Sequence, residues 1–267
     1  MKKTIFITGS TDGIGKAAAI LLAQEGHSIY LHGRNPQKLE DAIAEVKKES
    51  DNGAVDGYLT DLSDLDAVRL LAEKIKTEIP KLDVLINNAG VYSTSNPITK
   101  DGLDVRFIVN TIAPYILAQE INPLLGKSGR IINLSSAAQA TVNPDALTGK
   151  MQLSDGVAYA QSKLAITMWT KYMASVQQEN GPVIVAVNPG SMLASKMVRE
   201  AYGVHGRDIS IGSSILVRAA LSEEFEHTSG SYFDNDSGQF APPHRDALNN
   251  KKNEELVMKI EELLIKT

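Results

Sequence analysis

The chain has 267 residues, of which 43% are hydrophobic and 22% charged, a balance typical of globular proteins. Acidic residues outnumber basic ones by 32 to 27, and the net charge of −5 argues against a basic surface for nucleic acid or anionic lipid. Cysteine is absent, which excludes disulfides, thiolate catalysis and zinc–sulfur sites.

Neither a membrane span nor a secretory signal is evident. No apolar run approaches the ~20 residues of a spanning helix. The N-terminal "MKKTIFITGS" has too short an apolar region, and no small-residue cleavage site follows it. We therefore expect a cytoplasmic protein with neither a membrane nor a nucleic-acid partner.

Short β-branched runs alternate with longer segments of helical periodicity. The predicted strands are 3–8, 28–33, 54–59, 84–87, 130–135 and 183–188, with a last strand in the turn-rich segment 232–250. The predicted helices are 15–26, 36–50, 64–79, 101–125, 155–179 and 251–264. This alternation predicts one doubly wound α/β domain, in which helices cover both faces of a mostly parallel seven-stranded sheet. Pro114 lacks a backbone donor, so we expect a kink in helix 101–125.

The first strand runs into a glycine-rich turn, "TGSTDGIGK" (8–16). Gly9, Gly13 and Gly15 stand where a chain must turn tightly and let its N–H groups approach a phosphate at a helix N-terminus. The spacing G-x3-G-x-G departs from the general G-x-G-x-x-G fingerprint of Rossmann folds. It is not a Walker loop either, since Lys16 is followed by Ala17 rather than Ser or Thr. The turn predicts a dinucleotide site.

The second strand ends in "LHGRN", and this end favours one cofactor over another. Folds that bind NAD carry an acid here for the ribose 2′-hydroxyl. In this chain Gly33 stands at the position of the acid, and Arg34 follows it. A guanidinium can pair with a 2′-phosphate, whereas a carboxylate would repel it. We predict NADP, with NAD as the alternative. A plain surface arginine before Pro36 would also account for the pattern.

In "YAQSK" (159–163), Tyr159 and Lys163 are four residues apart within helix 155–179. Side chains at i and i+4 share one helix face, so both can reach one point in space. The pair alone is weak evidence, because such spacing is common by chance.

Seven motifs together resemble the short-chain dehydrogenase/reductase family over nearly the whole chain. They are "TGSTDGIG" (8–15), "TDL" (60–62), "NNAG" (87–90), "VNTIAPY" (109–115), "RIINLSS" (130–136), "YAQSK" (159–163) and "NPG" (188–190). The segment before the tyrosine is most similar to the retinol-dehydrogenase-like and carbonyl-reducing branch. The resemblance implies a Rossmann-type domain over 1–267, with a cofactor half of about 1–130 and a catalytic half of about 131–267.

The resemblance also implies roles for particular residues. Asp61 would bond the adenine amino group, with the Leu62 backbone beside it, and Pro189 and Gly190 would flank the nicotinamide. The implied catalytic residues are Asn110, Ser136, Tyr159 and Lys163. The implied cofactor contacts are Gly9, Ser10, Thr11, Gly13, Ile14, Gly15, Arg34, Asp61, Leu62, Asn88, Ala89, Gly90, Tyr159, Lys163, Pro189 and Gly190.

Reduction of a carbonyl by hydride leaves negative charge on oxygen, so an acid must deliver a proton there. Tyrosine has an ordinary pKa of about 10, and the neighbouring cation of Lys163 would favour the tyrosinate. Ser136 would bond the substrate oxygen, and Asn110 would hold a water in a proton path beside Lys163. The expected reaction interconverts a carbonyl and an alcohol.

Two segments depart from the family pattern. The 22 residues 137–158, between Ser136 and Tyr159, are longer than in many members and predict an inserted loop beside the pocket. Where the family places Thr or Ser after "PG", this chain has Ala194, so we assign no nicotinamide contact to Ser195. We expect the segment 191–206 to cover the site, and its two methionines and one leucine suit an apolar substrate and equally suit ordinary packing.

The histidines at 27, 32, 205, 227 and 244 have no metal-ligand spacing, so we expect no metal site. A nucleotide sensor without turnover is the main alternative function, although such a protein has little need of all four catalytic residues. A scaffold whose helices 101–125 and 155–179 pair subunits is a third. Such pairing is common in the family, so we expect a homo-oligomer, a dimer or tetramer.

Overall fold

The computed structural model describes residues 1–266, without the side chains of residues 201 and 202. Within that part of the chain eight strands form one sheet, in the order β3-β2-β1-β4-β5-β6-β7-β8. The strands are β1 (Thr4–Ile7), β2 (Ser28–Gly33), β3 (Val55–Leu59), β4 (Val84–Asn87), β5 (Arg130–Leu134), β6 (Val183–Asn188), β7 (Tyr232–Asp234) and β8 (Gln239–Phe240). The first seven pair in parallel and β8 is antiparallel to β7. The predicted doubly wound α/β fold is confirmed.

Helices cover both faces of the sheet. They are α1 (Gly13–Gln24), α2 (Pro36–Ser50), α3 (Leu65–Glu78), α4 (Val105–Phe107), α5 (Ala113–Leu125), α6 (Pro144–Leu147), α7 (Asp155–Gln177), α8 (Lys196–Tyr202), α9 (Ser210–Leu221) and α10 (Asn250–Leu264). Helices α3, α5, α7 and α10 bury one apolar cluster, and α1, α2 and α9 bury the other. Strands β4 and β5 are mostly apolar and are buried along their whole length, as expected for parallel strands between two helical layers.

The sheet has one strand more than the seven predicted. β8 is only two residues long, and its turn-rich surroundings carry no alternation that a pattern could reveal. Tertiary packing holds it in place, because the Phe240 ring centroid lies 5.1 Å from that of Phe225 and 5.0 Å from that of Phe233.

The predicted helix 101–125 begins at Val105 and is interrupted before Pro114. A π-helical segment, Ile108–Ile112, separates α4 from α5, and Pro114 is the second residue of α5. At that position its missing N–H costs little. The expected irregularity therefore lies in the turn before the proline, as a widened turn that carries Asn110.

The strand order reverses between β1 and β4, which are neighbours in the sheet although two strands, β2 and β3, lie between them in the chain. In open α/β sheets, ligands bind at the carboxyl ends of the strands at such a switch point. Gly9 follows β1 there, and Asn88 and Gly90 follow β4. No helix in residues 1–266 combines the length and apolar character needed to cross a bilayer.

Helix α10 packs along α7, one of the two helices expected to pair subunits. It also reaches α5, since the Tyr115 hydroxyl donates to Oε1 of Glu261 (2.9 Å), and α3, where Nη2 of Arg69 donates to the Leu264 carbonyl (2.8 Å). A homo-oligomer of this chain would therefore need a surface other than the part of α7 that α10 covers.

Candidate active site

The glycine-rich turn between β1 and α1 is pressed against the end of β4. Gly9 has a φ of +62°, and a Cβ atom there would lie 2.7 Å from the Cα atom of Ala89. A Cβ atom on Gly15 would lie 2.4 Å from Nδ2 of Asn88. A side chain at either position would push the turn off β4. In the first turn of α1 the Gly13 N–H donates to the Asp12 side chain (2.7 Å), which leaves the N–H groups of Ile14 and Gly15 to meet an anion.

Asn88 holds this turn to the sheet. Its Nδ2 donates to the carbonyls of Thr8 (2.8 Å) and Gly9 (2.9 Å). The Thr8 hydroxyl oxygen accepts in return from the backbone N–H groups of Asn88 (3.0 Å) and Ala89 (3.1 Å). Two motifs about eighty residues apart in the chain thus form one unit. Ser10, Thr11, Gly13 and Ile14 complete the turn.

The buried side chain of His32 is hydrogen-bonded to the same turn. Its Nδ1 accepts from the Gly9 N–H (3.1 Å) and its Nε2 lies 3.1 Å from the Thr60 carbonyl, so the ring is neutral with its proton on Nε2. Burial lowers the pKa of His32 from its ordinary 6.5 to about 4. The sequence predicts no metal role for this residue, and its ring joins the ends of β1, β2 and β3.

His32 should make stability depend on pH. Its pKa is lower in the folded chain, so the unfolded chain binds the proton first and stability falls as pH drops from about 6.5 to 4, by up to about 3 kcal/mol. We expect His32→Gln, which keeps one acceptor and one donor, to reduce this slope. The measurement is urea unfolding at several pH values. His227→Gln, at an exposed histidine, is the control, and an equal slope in wild type and His32→Gln would contradict the assignment.

The end of β2 has no room for an acid. A Cβ atom on Gly33 would lie 2.4 Å from Cγ2 of Thr11, in the glycine-rich turn. Arg34, the next residue, is exposed, and its guanidinium has no hydrogen bond or ion pair with any residue that the structure describes. Asn35 then caps α2 by accepting from the Lys38 N–H (3.0 Å). The guanidinium of Arg34, which has no hydrogen-bond or ion-pair partner in the described chain, thus belongs to the residue next to Gly33, which contacts the glycine-rich turn.

Asp61 and Leu62 follow β3 on the same side of the sheet. Asp61 is exposed, and its Oδ1 accepts from the backbone N–H (2.9 Å) and hydroxyl (2.8 Å) of Ser63. Leu62 is buried against α3. The Thr60 N–H donates to the Gly33 carbonyl (3.0 Å), which brings Asp61 next to the end of β2. Gly33, Arg34 and Asp61 therefore border one region, separate from the catalytic candidates.

Asn110 lies fully buried in the π-helical segment. Its Oδ1 accepts from the Val91 N–H (2.7 Å), and its Nδ2 donates to the Val91 carbonyl (2.9 Å) and to Oγ of Ser162 (2.9 Å). Both amide donors are used, and Oδ1 retains a second lone pair. A Cβ atom on Gly90 would lie 3.6 Å both from this Oδ1 and from Nζ of Lys163. The structure thus brings these three predicted residues together.

Lys163 is 4% exposed and carries its ammonium group into the same region. Its Nζ donates to the carbonyl of Leu134 at the end of β5 (2.7 Å), the one hydrogen bond of that group among the described residues. Burial lowers the pKa of Lys163 from 10.5 to about 8. An ammonium has three donors, so two remain for a ligand in the cleft.

Tyr159 lies beside Lys163, with Nζ 5.7 Å from the centroid of its ring. The ring of Tyr92 also packs against Tyr159, at 5.0 Å between centroids and tilted by 52°. Ser136 is half-buried after β5. Its Oγ accepts from the Ala138 N–H (3.1 Å), which leaves the hydroxyl proton free to donate.

Pro189 and Gly190 follow β6 and open the covering segment, residues 191–206. Gly190 has a φ of +117°, and its N–H donates to Oδ1 of Asn188 (3.2 Å). Ser195 caps α8 by accepting from the Val198 N–H (3.2 Å). It lies with Ala194 in the wall of a cavity of about 240 Å³ that Asp12 and Gly13 also line. The covering segment thus reaches the glycine-rich turn.

Sequence reasoning missed a charged cluster beside Tyr92. The guanidinium of Arg106, 1% exposed, pairs with Oδ2 of Asp104 (2.7 Å) and with Asp155, which also accepts from the Ser93 hydroxyl (2.6 Å). Asp155 is four residues before Tyr159, so the cluster fixes the first turn of α7. Ser93 and Asp155 are 62 positions apart in the chain, so no local sequence pattern predicts this contact.

The inserted segment 137–158 is anchored at several points. The Thr141 hydroxyl donates to Oδ2 of Asp246 (2.6 Å), and Oε1 of Gln161 accepts from the Asn143 N–H (2.9 Å). The helix α6 adds Ala146 and Leu147 to the core. The predicted loop is therefore a packed part of the fold that leads directly into α7.

Comparison with known proteins decides the family. The profile described as "short chain dehydrogenase" matches residues 3–203. The chain belongs to the short-chain dehydrogenase family. Relatives of this short-chain dehydrogenase include retinol dehydrogenase 13 of Homo sapiens, 34% identical over 253 residues (87% of this chain, 76% of the relative). Retinol dehydrogenase 12 of Mus musculus is 34% identical over 244 residues (86% and 77%). Polyprenol dehydrogenase of Homo sapiens is 29% identical over 254 residues (88% and 77%).

Solved structures agree on the fold. An uncharacterised protein from Mycobacterium paratuberculosis superposes with a TM-score of 0.80 at 25% identity, covering 98% of this chain and 92% of its own. A short-chain dehydrogenase from Escherichia coli, solved with NADPH, gives 0.71 at 23% identity (87% and 96%). The family places this short-chain dehydrogenase among nicotinamide-dependent oxidoreductases of alcohol and carbonyl groups.

Proposed function

We propose that the protein is an NADP(H)-dependent oxidoreductase that interconverts a carbonyl and an alcohol on a small, apolar substrate. One observation carries the proposal. The buried ammonium of Lys163 lies beside Tyr159 and Gly90, at the strand ends where the glycine-rich turn opens, and two of its donors have no partner in the described chain.

The residues present fit a nicotinamide dinucleotide. Gly9 and Gly15 let the glycine-rich turn pack closely against Ala89 and Asn88 at the strand ends, and Arg34 offers an uncommitted guanidinium at the end of β2. The free donors of Lys163 suit the hydroxyls of a ribose, which accept hydrogen bonds. Bound there, the nicotinamide would supply or accept the hydride.

Tyr159 would donate the proton to the substrate oxygen as negative charge develops on it. A neutral phenol holds its proton too tightly for rapid exchange near neutral pH. The positive charge of Lys163, held by one face of the phenol ring, stabilises the tyrosinate and so makes proton release easier. Most Lys163 side chains remain charged at pH 7, because their pKa is about 8.

Ser136 and Asn110 would complete the machinery. The free hydroxyl proton of Ser136 can donate to the substrate oxygen, a contact worth on the order of a few kcal/mol in a desolvated site. The unused lone pair of Asn110 Oδ1, near Lys163, can accept from a water that returns protons from solvent.

The preference for NADP rests on Arg34 and Gly33. The exposed guanidinium has no competing partner in residues 1–266, and Thr11 fills the space that an acid at position 33 would need. An anionic 2′-phosphate can therefore pair with a cation without facing a carboxylate from β2. The structure solved with NADPH is 23% identical, so it supports the fold alone.

An apolar substrate is supported by the segments that flank the site. Met151 and Val157 precede Tyr159, whereas Met192 and Val204 belong to the covering segment, and all four side chains are 40–45% exposed. Exposed apolar side chains in the segments that flank a site are available to contact an apolar molecule bound there. Two relatives act, by name, on retinol and one on polyprenol.

The sensor without turnover is the second candidate, and the catalytic cluster argues against it. Binding a nucleotide requires neither the Tyr159–Lys163 pair nor the buried Asn110. The expected cytoplasmic location, self-association and single-domain organisation stay predictions.

An activity assay tests the proposal. Purified protein is given NADPH and a panel of apolar aldehydes and ketones that includes retinal, with short polar carbonyls alongside, and loss of nicotinamide absorbance is followed. We expect turnover of apolar members that Tyr159→Phe abolishes. NADPH binding without turnover of any member, and without turnover of the corresponding alcohols with NADP⁺, would favour the sensor.

A further inference from the structure

The turn between β7 and β8 holds the Asn188–Gly190 turn at the end of β6. Nδ2 of Asn188 donates to Oδ1 of Asp234 (2.8 Å) and to Oδ2 of Asp236 (2.9 Å). Nδ2 of Asn235 donates to the Pro189 carbonyl (2.9 Å). The three consecutive side chains 234–236, in the hairpin of β7 and β8, therefore bind one turn of the cofactor cleft. Strand β8 completes the hairpin that places them there.

Asp236 also binds the two ends of the covering segment. Its Oδ1 accepts from the Ser191 N–H (2.9 Å) and its Oδ2 from the Ser191 hydroxyl (2.5 Å). Nη1 of Arg207, just past the other end, donates to Oδ1 (3.2 Å). Between these ends the Arg207 N–H donates to the Met192 carbonyl (2.6 Å) and the Ala194 N–H to the Arg207 carbonyl (2.7 Å). The covering segment is thus a closed loop, and Ser191 and Arg207, which flank its two ends, are both hydrogen-bonded to the carboxylate of Asp236.

The carboxylate is ionised at neutral pH. Burial alone would raise the pKa of Asp236, but hydrogen bonds from Ser191 and Asn188 and the charge of Arg207 outweigh it, so the pKa lies below its ordinary value. Hydrogen bonds to an ionised acceptor are about twice as strong as neutral ones. Loss of this group would therefore detach both ends of the covering segment from the β7–β8 turn, although the two backbone hydrogen bonds would still join those ends to each other.

The covering segment in turn reaches the catalytic residues. Cε of Met197, in α8, would lie 3.7 Å from a Cβ atom on Gly90, a position equally close to Lys163 and Asn110. The region of Gly33, Arg34 and Asp61 lies at the ends of β2 and β3, on the other side of β1 in the sheet. Asp236 can therefore affect the nicotinamide end of the cleft without touching the adenosine end.

We propose that Asp236 is a positioning residue for the nicotinamide half of the cofactor, acting through the Pro189–Gly190 turn and the covering segment. This inference rests on the proposed function. It differs from a purely structural role of the hairpin, which would weaken both halves of the site together by destabilising the sheet edge.

The test compares two ligands. NADPH spans the whole cleft, and adenosine 2′,5′-bisphosphate carries the 2′-phosphate but no nicotinamide. For Asp236→Ala we expect the Kd for NADPH to rise about tenfold or more, about 1.4 kcal/mol, and the Kd for the bisphosphate to stay within about twofold. Asp236→Asn keeps the shape and should give an intermediate loss. Asp56→Ala, at an exposed carboxylate on β3 that bonds the adjacent Gly57 N–H, is the matched control.

A second readout needs no ligand. Hydrogen exchange at the covering segment should speed up in Asp236→Ala and stay unchanged in Asp56→Ala. Unchanged NADPH affinity, or equal losses for both ligands, would overturn the role of Asp236. Wild-type protein that binds neither ligand would instead overturn the proposed function.

Discussion

Tyr159→Phe should reduce turnover by about 10²- to 10⁴-fold, the usual contribution of a general acid, and should leave NADPH affinity close to that of wild type. The substitution removes only the phenolic oxygen. The ring keeps its contacts with Tyr92 and with Lys163. The site would then hold the cofactor and lack a proton donor at the developing charge.

Tyr92→Phe is the matched control, because it removes the same atom from the ring packed against Tyr159. We expect a clearly smaller loss of turnover for this variant. Single-turnover measurements separate the chemical step from product release. If Tyr159→Phe retained most of its activity, the proton would come from another group and the proposed role of Tyr159 would be wrong.

Arg34→Ala should weaken NADPH binding by about 1.5–3 kcal/mol, the usual worth of hydrogen bonds to charged groups, or roughly 10- to 100-fold in Kd. NADH, which has a 2′-hydroxyl there, should lose little. The guanidinium is exposed and unpaired among the described residues, so its removal breaks no hydrogen bond or ion pair among them. The fold should therefore be unaffected.

Lys38→Ala, one turn further along in α2 and also exposed, controls for the general loss of positive charge. Binding should be compared at two salt concentrations, because screening weakens long-range attraction more than a direct contact. Equal losses for NADPH and NADH in Arg34→Ala would refute the 2′-phosphate assignment.

The sequence predicted the larger part of the fold because burial imposes patterns on it. The fully buried strands β4 and β5 are mostly apolar, and amphipathic helices such as α2 and α3 place their apolar stripes on the sheet. β8 was missed since two residues cannot show a period. The π-helical segment was missed because only packing around Asn110 distinguishes it from an α-helix.

The candidate site likewise contains residues that a sequence motif predicts and residues that only the topology of the fold brings together. Gly9, Asn88 and Lys163 belong to motifs whose spacing can be read from the chain. Arg106 with Asp155, and Asp236 with Ser191, are contacts between residues 49 and 45 positions apart. The topology of the fold brings these residues together, so no local sequence pattern predicts their contacts. These contacts shape the first turn of α7 and the covering segment, which the motifs alone leave undefined.

The central claim is that the cleft between β1, β4 and the covering segment binds a nicotinamide nucleotide with a 2′-phosphate. A fluorescence titration of the purified wild-type protein with NADPH and with NADH tests it most directly, since it needs no knowledge of the substrate. We predict binding of both, with NADPH preferred by about tenfold or more, about 1.4 kcal/mol. Preference for NADH would reverse the cofactor assignment, and binding of neither would contradict the account as a whole.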